Sequence, residues 1–298
     1  MSGDPAALLD QPFGSFSALI SAWGAHNGDA PALHDGTTTL SWRETADRVE
    51  RIAARLQADG LQRGQAVAIL GTSSVNYALV YMAAIRAGGC AAPLTTSASP
   101  DQLRGMAGDS GAIHLFIDRA KLTELGDFTL PITAQIVLDE QLDSFMAQPG
   151  TQAAAFEPED KDPFNIIYSS GTTGIPKGIV HSHGMRWRQV TFRAAQNYGL
   201  ASRSLLSTPL YSNTTLVTFL PTMFSGGYVS IMGKFDAQKW LERAQAERIT
   251  HTMLVPVQYR PRGRSVSSVT TGGRPRSGSG ITLYGTTRNA PATHACCM

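Results

Sequence analysis

Hydrophobic positions in the first half of the chain alternate between a helical period and short apolar runs. A capping box, Ser41-x-x-Glu44, opens a stretch whose apolar positions follow helical spacing until Gly60. The further elements predicted here are strands at 66–70, 90–94, 113–117 and 135–138 and helices at 75–86 and from 99 onward. Because strands that alternate with helices form parallel sheets covered on both faces, the pattern predicts an α/β fold.

The second half repeats this alternation after 147–162, whose proline, glycine, small and charged residues are typical of a linker. The elements predicted there are strands at 164–167, 179–183, 205–208, 228–232 and 252–255 and helices at 185–198, 214–224 and 236–247. Residues 1–38 are predicted to form a leader with one apolar patch at 13–23. The pattern therefore predicts two α/β units, one on each side of the linker.

Composition narrows the class of protein only slightly. The 298 residues allow one large or two ordinary domains, and a net charge of +2 gives no general indication of a nucleic-acid partner. No apolar run reaches the roughly eighteen residues of a membrane span, and no secretory signal is evident, so we expect a cytoplasmic protein. Cys90, Cys296 and Cys297 make no disulfide framework and have no partners at zinc-site spacing.

The composition changes sharply at residue 260. Residues 260–298 contain six arginines, no Asp or Glu, and mainly Gly, Ser, Thr and Pro, which predicts an irregular basic tail after a domain at 1–259. A basic arm that binds nucleic acid is one interpretation, although aromatic residues do not accompany the arginines before Tyr284. We favour the other interpretation, in which the tail is out of frame or otherwise non-native.

Segment 168–178 carries the most specific chemistry, and it reads Tyr-Ser-Ser-Gly-Thr-Thr-Gly-Ile-Pro-Lys-Gly. Glycines let backbone N–H groups approach an anion, hydroxyls add donors, and Lys177 adds a positive charge. The segment is not a Walker A loop, because Pro176 stands where its second glycine belongs and Gly178 follows the lysine. The predicted nucleotide-binding residues are Ser169, Ser170, Gly171, Thr172, Thr173, Gly174, Lys177 and Gly178.

This string resembles the signature of the AMP-forming adenylating enzymes, which include acyl-CoA synthetases, peptide-synthetase adenylation domains and luciferases. The resemblance extends over about 15–259 and implies two doubly wound sheet-and-helix subdomains of that family's amino-terminal domain. It also implies ATP and Mg²⁺ as cofactors. The implied reaction converts a fatty or aromatic carboxylic acid to an acyl-adenylate, with release of pyrophosphate, and then to acyl-CoA. We favour a CoA ligase within the family, with no nucleic-acid partner and no membrane span.

Individual roles follow by the same analogy. Lys177 is the predicted catalytic residue, which neutralises the β/γ-phosphates and the departing pyrophosphate, and Thr172 is the predicted magnesium ligand. Tyr211, Ser212 and Asn213 resemble the segment that lines the family's acid pocket. Ser212 occupies a position where the family often has histidine, so a gating histidine is not expected.

Other family features are missing or altered. Segment 284–288 imitates the family's Tyr-Gly-x-Thr-Glu motif but places Arg288 where the glutamate belongs. We interpret it as a coincidence, since we predict no flanking strand and helix. The later ribose aspartate and the mobile domain with its catalytic lysine are also missing, so we expect a truncated enzyme with little turnover. The alternative is a catalytically dead nucleotide-binding fragment. His181 and His183 share one face of a predicted strand, where a structural role is favoured over a metal pair.

Overall fold

The computed structural model describes residues 3–169, 176–255, 258 and 282–285. These residues form two six-stranded sheets with helices packed around them. The strands are β1 Pro31–His34, β2 Thr39–Ser41, β3 Ala66–Leu70, β4 Cys90–Pro93, β5 His114–Ile117, β6 Ala134–Val137, β7 Pro163–Ser169, β8 Lys177–Ser182, β9 Arg203–Leu206, β10 Tyr228–Ile231, β11 His251–Leu254 and β12 Thr282–Gly285. The helices are α1 Pro5–Leu9, α2 Phe16–His26, α3 Trp42–Ala58, α4 Val75–Arg86, α5 Pro100–Ser110, α6 Arg119–Leu125, α7 Leu142–Phe145, α8 His183–Ala194, α9 Asn213–Phe224 and α10 Ala237–Ala246.

The predicted α/β alternation is confirmed, and local signals explain where the helices begin. Helix α3 starts at a complete capping box, in which Ser41 Oγ accepts from Glu44 N–H at 3.2 Å and Glu44 Oε2 accepts from Ser41 N–H at 2.8 Å. Helix α5 starts with the same arrangement at Ser99, with Pro100 in its first turn. These caps satisfy N–H groups that have no partner inside the helix.

The sheets do not divide at the predicted linker. Sheet I has the order β6-β5-β3-β4-β7-β8, and sheet II has the order β12-β11-β9-β10-β1-β2. Strands β7 and β8 follow the linker but join the first sheet, whereas β1 and β2 come from the amino terminus and join the second. The prediction of one unit on each side of 147–162 is therefore wrong. Apolar runs identify strands, but they do not specify which strands pair.

The amino-terminal segment is part of the core rather than a leader. Phe16 is fully buried, with ring centroids 4.9 Å from Phe164 and 4.3 Å from Phe224. Trp23 donates its indole N–H to the Phe224 carbonyl at 3.0 Å. Helix α2 thus packs against elements more than a hundred residues away in sequence, and the prediction of a separate leader is wrong.

Part of the predicted irregular tail forms a strand. Strand β12 pairs in parallel with β11, with Tyr284 opposite Met253. Threonine and tyrosine favour strands, and this short run outweighs the glycine- and arginine-rich composition around it. The interpretation of Tyr284-Gly285 as a coincidence assumed that no strand lies there, and that assumption is wrong. The rest of 260–298 lies outside the described residues.

Within the described part of the chain, no helix is both long enough and apolar enough to cross a membrane.

Candidate functional site

Strands β7 and β8 hold the two ends of the glycine- and hydroxyl-rich loop. They pair antiparallel, with Ser169 opposite Lys177 and Tyr168 opposite Gly178. Strand β7 also runs parallel to β4, so the loop leaves from the carboxyl edge of sheet I. Ser169 and Lys177 are both exposed at that edge. Ligands of open α/β sheets bind at this edge, and the pairing therefore places Lys177 where an anionic ligand can reach it.

The backbone at Gly178 lies so close to neighbouring side chains that a larger residue there would displace them. A Cβ there would stand 2.8 Å from Asp109 Oδ2 and 3.1 Å from Tyr168 Cε1. The Tyr168 hydroxyl in turn donates to the Met106 carbonyl at 2.9 Å and lies 3.0 Å from Asp109 Oδ2. Burial and then Asp109 raise the pKa of Tyr168, so its hydroxyl remains a donor. These contacts fix the end of β7 against α5 immediately before the loop.

The predicted acid-pocket segment lies at the carboxyl end of β9 in sheet II. Leu210 N–H donates to Ser73 Oγ at 2.8 Å, and Ser73 follows the carboxyl end of β3 in sheet I. The carboxyl edges of the two sheets therefore meet. Tyr211 and Ser212 are half-buried there and Asn213 is exposed. Ser212 is the N-cap of α9 but makes no side-chain capping hydrogen bond, which leaves its hydroxyl available to a ligand.

A buried arginine connects the loop strand with this segment, and the sequence analysis missed it. The side chain of Arg186, on α8, is 1% exposed. Its Nε donates to Asn165 Oδ1 on β7 at 2.9 Å, and its Nη2 donates to Asn213 Oδ1 at 3.0 Å. Burial lowers the pKa of Arg186 below its usual value. The missed signal was an arginine on the helix face that also carries His183, Trp187 and Val190.

The two histidines do not share a strand face, so that prediction is wrong. His181 lies on β8, but His183 is the first residue of α8 because Ser182 caps the helix there. Burial lowers the pKa of each to about 4, with Arg186 also acting on His181. Both are therefore neutral near pH 7. In the described ranges, no group of three or more His, Cys, Asp or Glu side chains could hold a metal ion.

Most of the predicted loop residues lie outside the described residues, namely Ser170, Gly171, Thr172, Thr173 and Gly174. Their phosphate contacts and the magnesium ligand Thr172 stay predictions. The structure brings Ser169, Lys177 and Gly178 together at the hairpin.

The fold is that of an α/β protein in which the carboxyl ends of strands from two sheets meet, and the candidate ligand site lies at this junction. A family model for AMP-binding enzymes matches residues 20–264. The chain belongs to the AMP-binding enzyme family, which confirms the resemblance seen in its sequence.

Curated relatives and solved structures agree with this membership. The chain is 30% identical over 272 residues to a feruloyl-CoA synthase of Amycolatopsis, covering 87% of this chain and 52% of that protein. It is 28% identical to a medium/long-chain-fatty-acid–CoA ligase of Mycobacterium tuberculosis, covering 84% and 46%. The chain thus spans about half the length of these relatives.

The solved structures bear on the fold alone. The O-succinylbenzoate coenzyme A synthetase of Bacillus subtilis aligns with a TM-score of 0.71 at 21% identity, covering 81% of this chain and 62% of that one. A fatty acyl CoA synthetase of Mycobacterium tuberculosis aligns with a TM-score of 0.73 at 22% identity, covering 83% and 50%. The two-sheet arrangement is therefore that of the amino-terminal part of these enzymes.

Proposed function

We propose that the protein takes part in ATP-dependent activation of a carboxylic acid, forming an acyl-adenylate and then acyl-CoA. The observation that carries the proposal is the β7–β8 hairpin, which holds Ser169 and Lys177 at the carboxyl edge of sheet I in a chain of the AMP-binding family. Exposed Lys177 supplies positive charge to the β- and γ-phosphates. Its charge offsets the negative charge that accumulates on pyrophosphate as it leaves.

The acid is proposed to enter beside the Tyr211–Asn213 segment. This segment has half-buried and exposed polar residues and lies at the junction of the two carboxyl edges. Arg186 links it to the hairpin, because it donates to both Asn213 and Asn165 on β7. The relatives include a feruloyl-CoA synthase and a medium/long-chain-fatty-acid–CoA ligase, which supports an aromatic or fatty acid as substrate and CoA as the thiol acceptor. Since ATP and CoA are both cytoplasmic metabolites, we propose that the protein acts in the cytoplasm.

Equilibrium binding of ATP in the presence of Mg²⁺ tests the nucleotide part. A charge-assisted hydrogen bond contributes about 1.5–3 kcal/mol, so Lys177→Ala should weaken ATP binding by about tenfold or more. Lys161→Ala is the matched control, because Lys161 is exposed near the opposite end of β7. Equal affinity of the two variants would contradict the proposal. The expectation of low turnover stays a prediction, which acid-dependent exchange between ATP and pyrophosphate measures.

A further inference from the structure

Arg186 is a buried cation that has only neutral partners among the described residues. Its three hydrogen bonds go to the side-chain oxygens of Asn165, Gln189 and Asn213, at 2.9, 2.7 and 3.0 Å. The ion pairs found in the described ranges do not include it. A guanidinium has five N–H donors, so two of them have no partner among the described residues. A buried charge without a counter-charge is strongly unfavourable unless a ligand supplies one.

Other buried donors that lack a partner among the described residues lie near this guanidinium or near its neighbour Tyr81. The amide Nδ2 of Asn165 and the hydroxyls of Tyr77 and Tyr81 are buried and have no hydrogen-bond partner within the described part of the chain. Tyr81 lies close enough to Arg186 that each affects the pKa of the other. Burial also raises the pKa of both tyrosines, which keeps their hydroxyls protonated. The cluster therefore has spare donors and a positive charge, which together suit an anion.

Two of the side chains that bond to Arg186 reach the surface beside the predicted acid pocket. Gln189 is half-buried, and Asn213, which accepts from Arg186 Nη2, is exposed. Asn213 follows Ser212 at the start of α9, where the two carboxyl edges meet. On its other side, Arg186 bonds to β7, four residues before the loop begins at Ser169. An anion that enters between these elements would reach the guanidinium near the nucleotide loop.

We propose that Arg186 binds a carboxylate of the acid substrate, with Asn165 and Tyr81 as neighbouring donors. The inference rests on the proposed function, because it takes a carboxylic acid as the ligand. Two carboxylates could fill this role, the one that reacts with ATP or a second one on a dicarboxylic acid. A pair of acids of equal chain length, hexanoate and adipate, separates them, because adipate differs only by its second carboxylate.

Calorimetric titration of the whole chain with each acid is the test. Arg186→Met keeps most of the side-chain length and removes the charge, and it should weaken adipate binding by about tenfold or more. If the variant weakens hexanoate binding equally, Arg186 binds the carboxylate that reacts with ATP. If it weakens adipate binding alone, Arg186 binds the second carboxylate. Arg188→Met is the matched control, since Arg188 lies on the same helix but is exposed, and it should bind both acids as the wild type does.

Two results would overturn the proposal. One is an Arg186→Met variant with wild-type affinity for both acids, and the other is a wild-type chain that binds neither acid more tightly than about 10 mM. A second variant, Asn213→Ala, tests the same cluster with little risk to folding, because Asn213 is exposed and accepts a hydrogen bond from Arg186. It should weaken adipate binding several-fold. Arg186→Met should still bind ATP, and Lys177→Ala should still bind adipate. Failure of the carboxylate proposal can therefore be distinguished from failure of the proposed nucleotide site.

Discussion

Replacement of Glu50 by glutamine should destabilise the protein far more than the same change at an exposed glutamate. Glu50 on α3 receives two hydrogen bonds from Arg86, the last residue of α4, at 2.6 and 2.8 Å. The two side chains are only 11% and 13% exposed. Glu50 Oε1 also accepts from Ala153 N–H at 2.9 Å. The pair therefore joins two helices to the 147–162 segment.

The expected magnitude follows from burial. Removing one partner of a buried ion pair costs about 3–5 kcal/mol, because the remaining charge stays buried without compensation. The Ala153 and Ala154 carbonyls still accept from Arg86 in the variant, which favours a loss of about 3 kcal/mol, the lower end of that range. Glu140→Gln is the control. Its partner Arg119 makes the same two-bond contact, but both side chains are 48% exposed, so solvent screens the pair and only a small loss is expected.

Urea unfolding followed by circular dichroism measures the free energy of unfolding of both variants. Urea is uncharged, so it does not screen the ion pairs as a salt would. With a urea m-value of about 3 kcal/mol/M, Glu50→Gln should lower the unfolding midpoint by about 1 M. Glu140→Gln should lower it by much less. Equal midpoint shifts for the two variants would refute the argument that burial determines the strength of these pairs.

Three further outcomes are expected. Burial lowers the pKa of His183 to about 4 from 6.5, so between these values the unfolded chain binds a proton that the folded chain does not. The free energy of unfolding should therefore be highest above about pH 6.5 and fall by up to about 3 kcal/mol towards pH 4. If the urea midpoint of His183→Gln depended on pH as steeply as that of the wild type, this expectation would be contradicted. Gly178→Ala places a Cβ 2.8 Å from Asp109 Oδ2, so urea unfolding should show a loss of about 1–2 kcal/mol in the free energy of unfolding. Wild-type stability of this variant would exclude the clash. Cys90 is 1% exposed and burial raises its pKa to about 12, so iodoacetamide should label it only after unfolding. Mass spectrometry of the peptides measures the labelling, and rapid labelling of the folded protein would contradict the burial of Cys90.

Local signals made most secondary structure predictable from the sequence. Helix caps at Ser41 and Ser99 and the apolar run 66–70 specify elements that depend on residues close in sequence. The sheet partition was not predictable in this way, because β7 pairs with β4, which lies about seventy residues earlier. The role of Phe16 was missed for the same reason, since its ring partners Phe164 and Phe224 are distant in sequence.

The candidate site was only partly predictable. The string at 168–178 combines glycine, hydroxyl and lysine chemistry in one continuous segment, and the chain's family membership agrees with that prediction. Arg186 could not be found in this way, because its partners Asn165 and Asn213 come from two other elements. An arginine on the apolar face of a helix was the available signal, and it becomes meaningful only when burial and hydrogen bonds are known.

Hydrogen exchange of the chain with and without saturating ATP and Mg²⁺ is the decisive test of nucleotide binding at the β7–β8 hairpin. We expect ATP-dependent protection of peptides that cover the hairpin at 163–182, which Lys177→Ala should reduce and Lys161→Ala should leave unchanged. Peptides that cover α10, Ala237–Ala246, serve as an internal reference. An ATP-dependent change that leaves the hairpin unprotected, or none anywhere, would contradict the assignment of this hairpin as the nucleotide site.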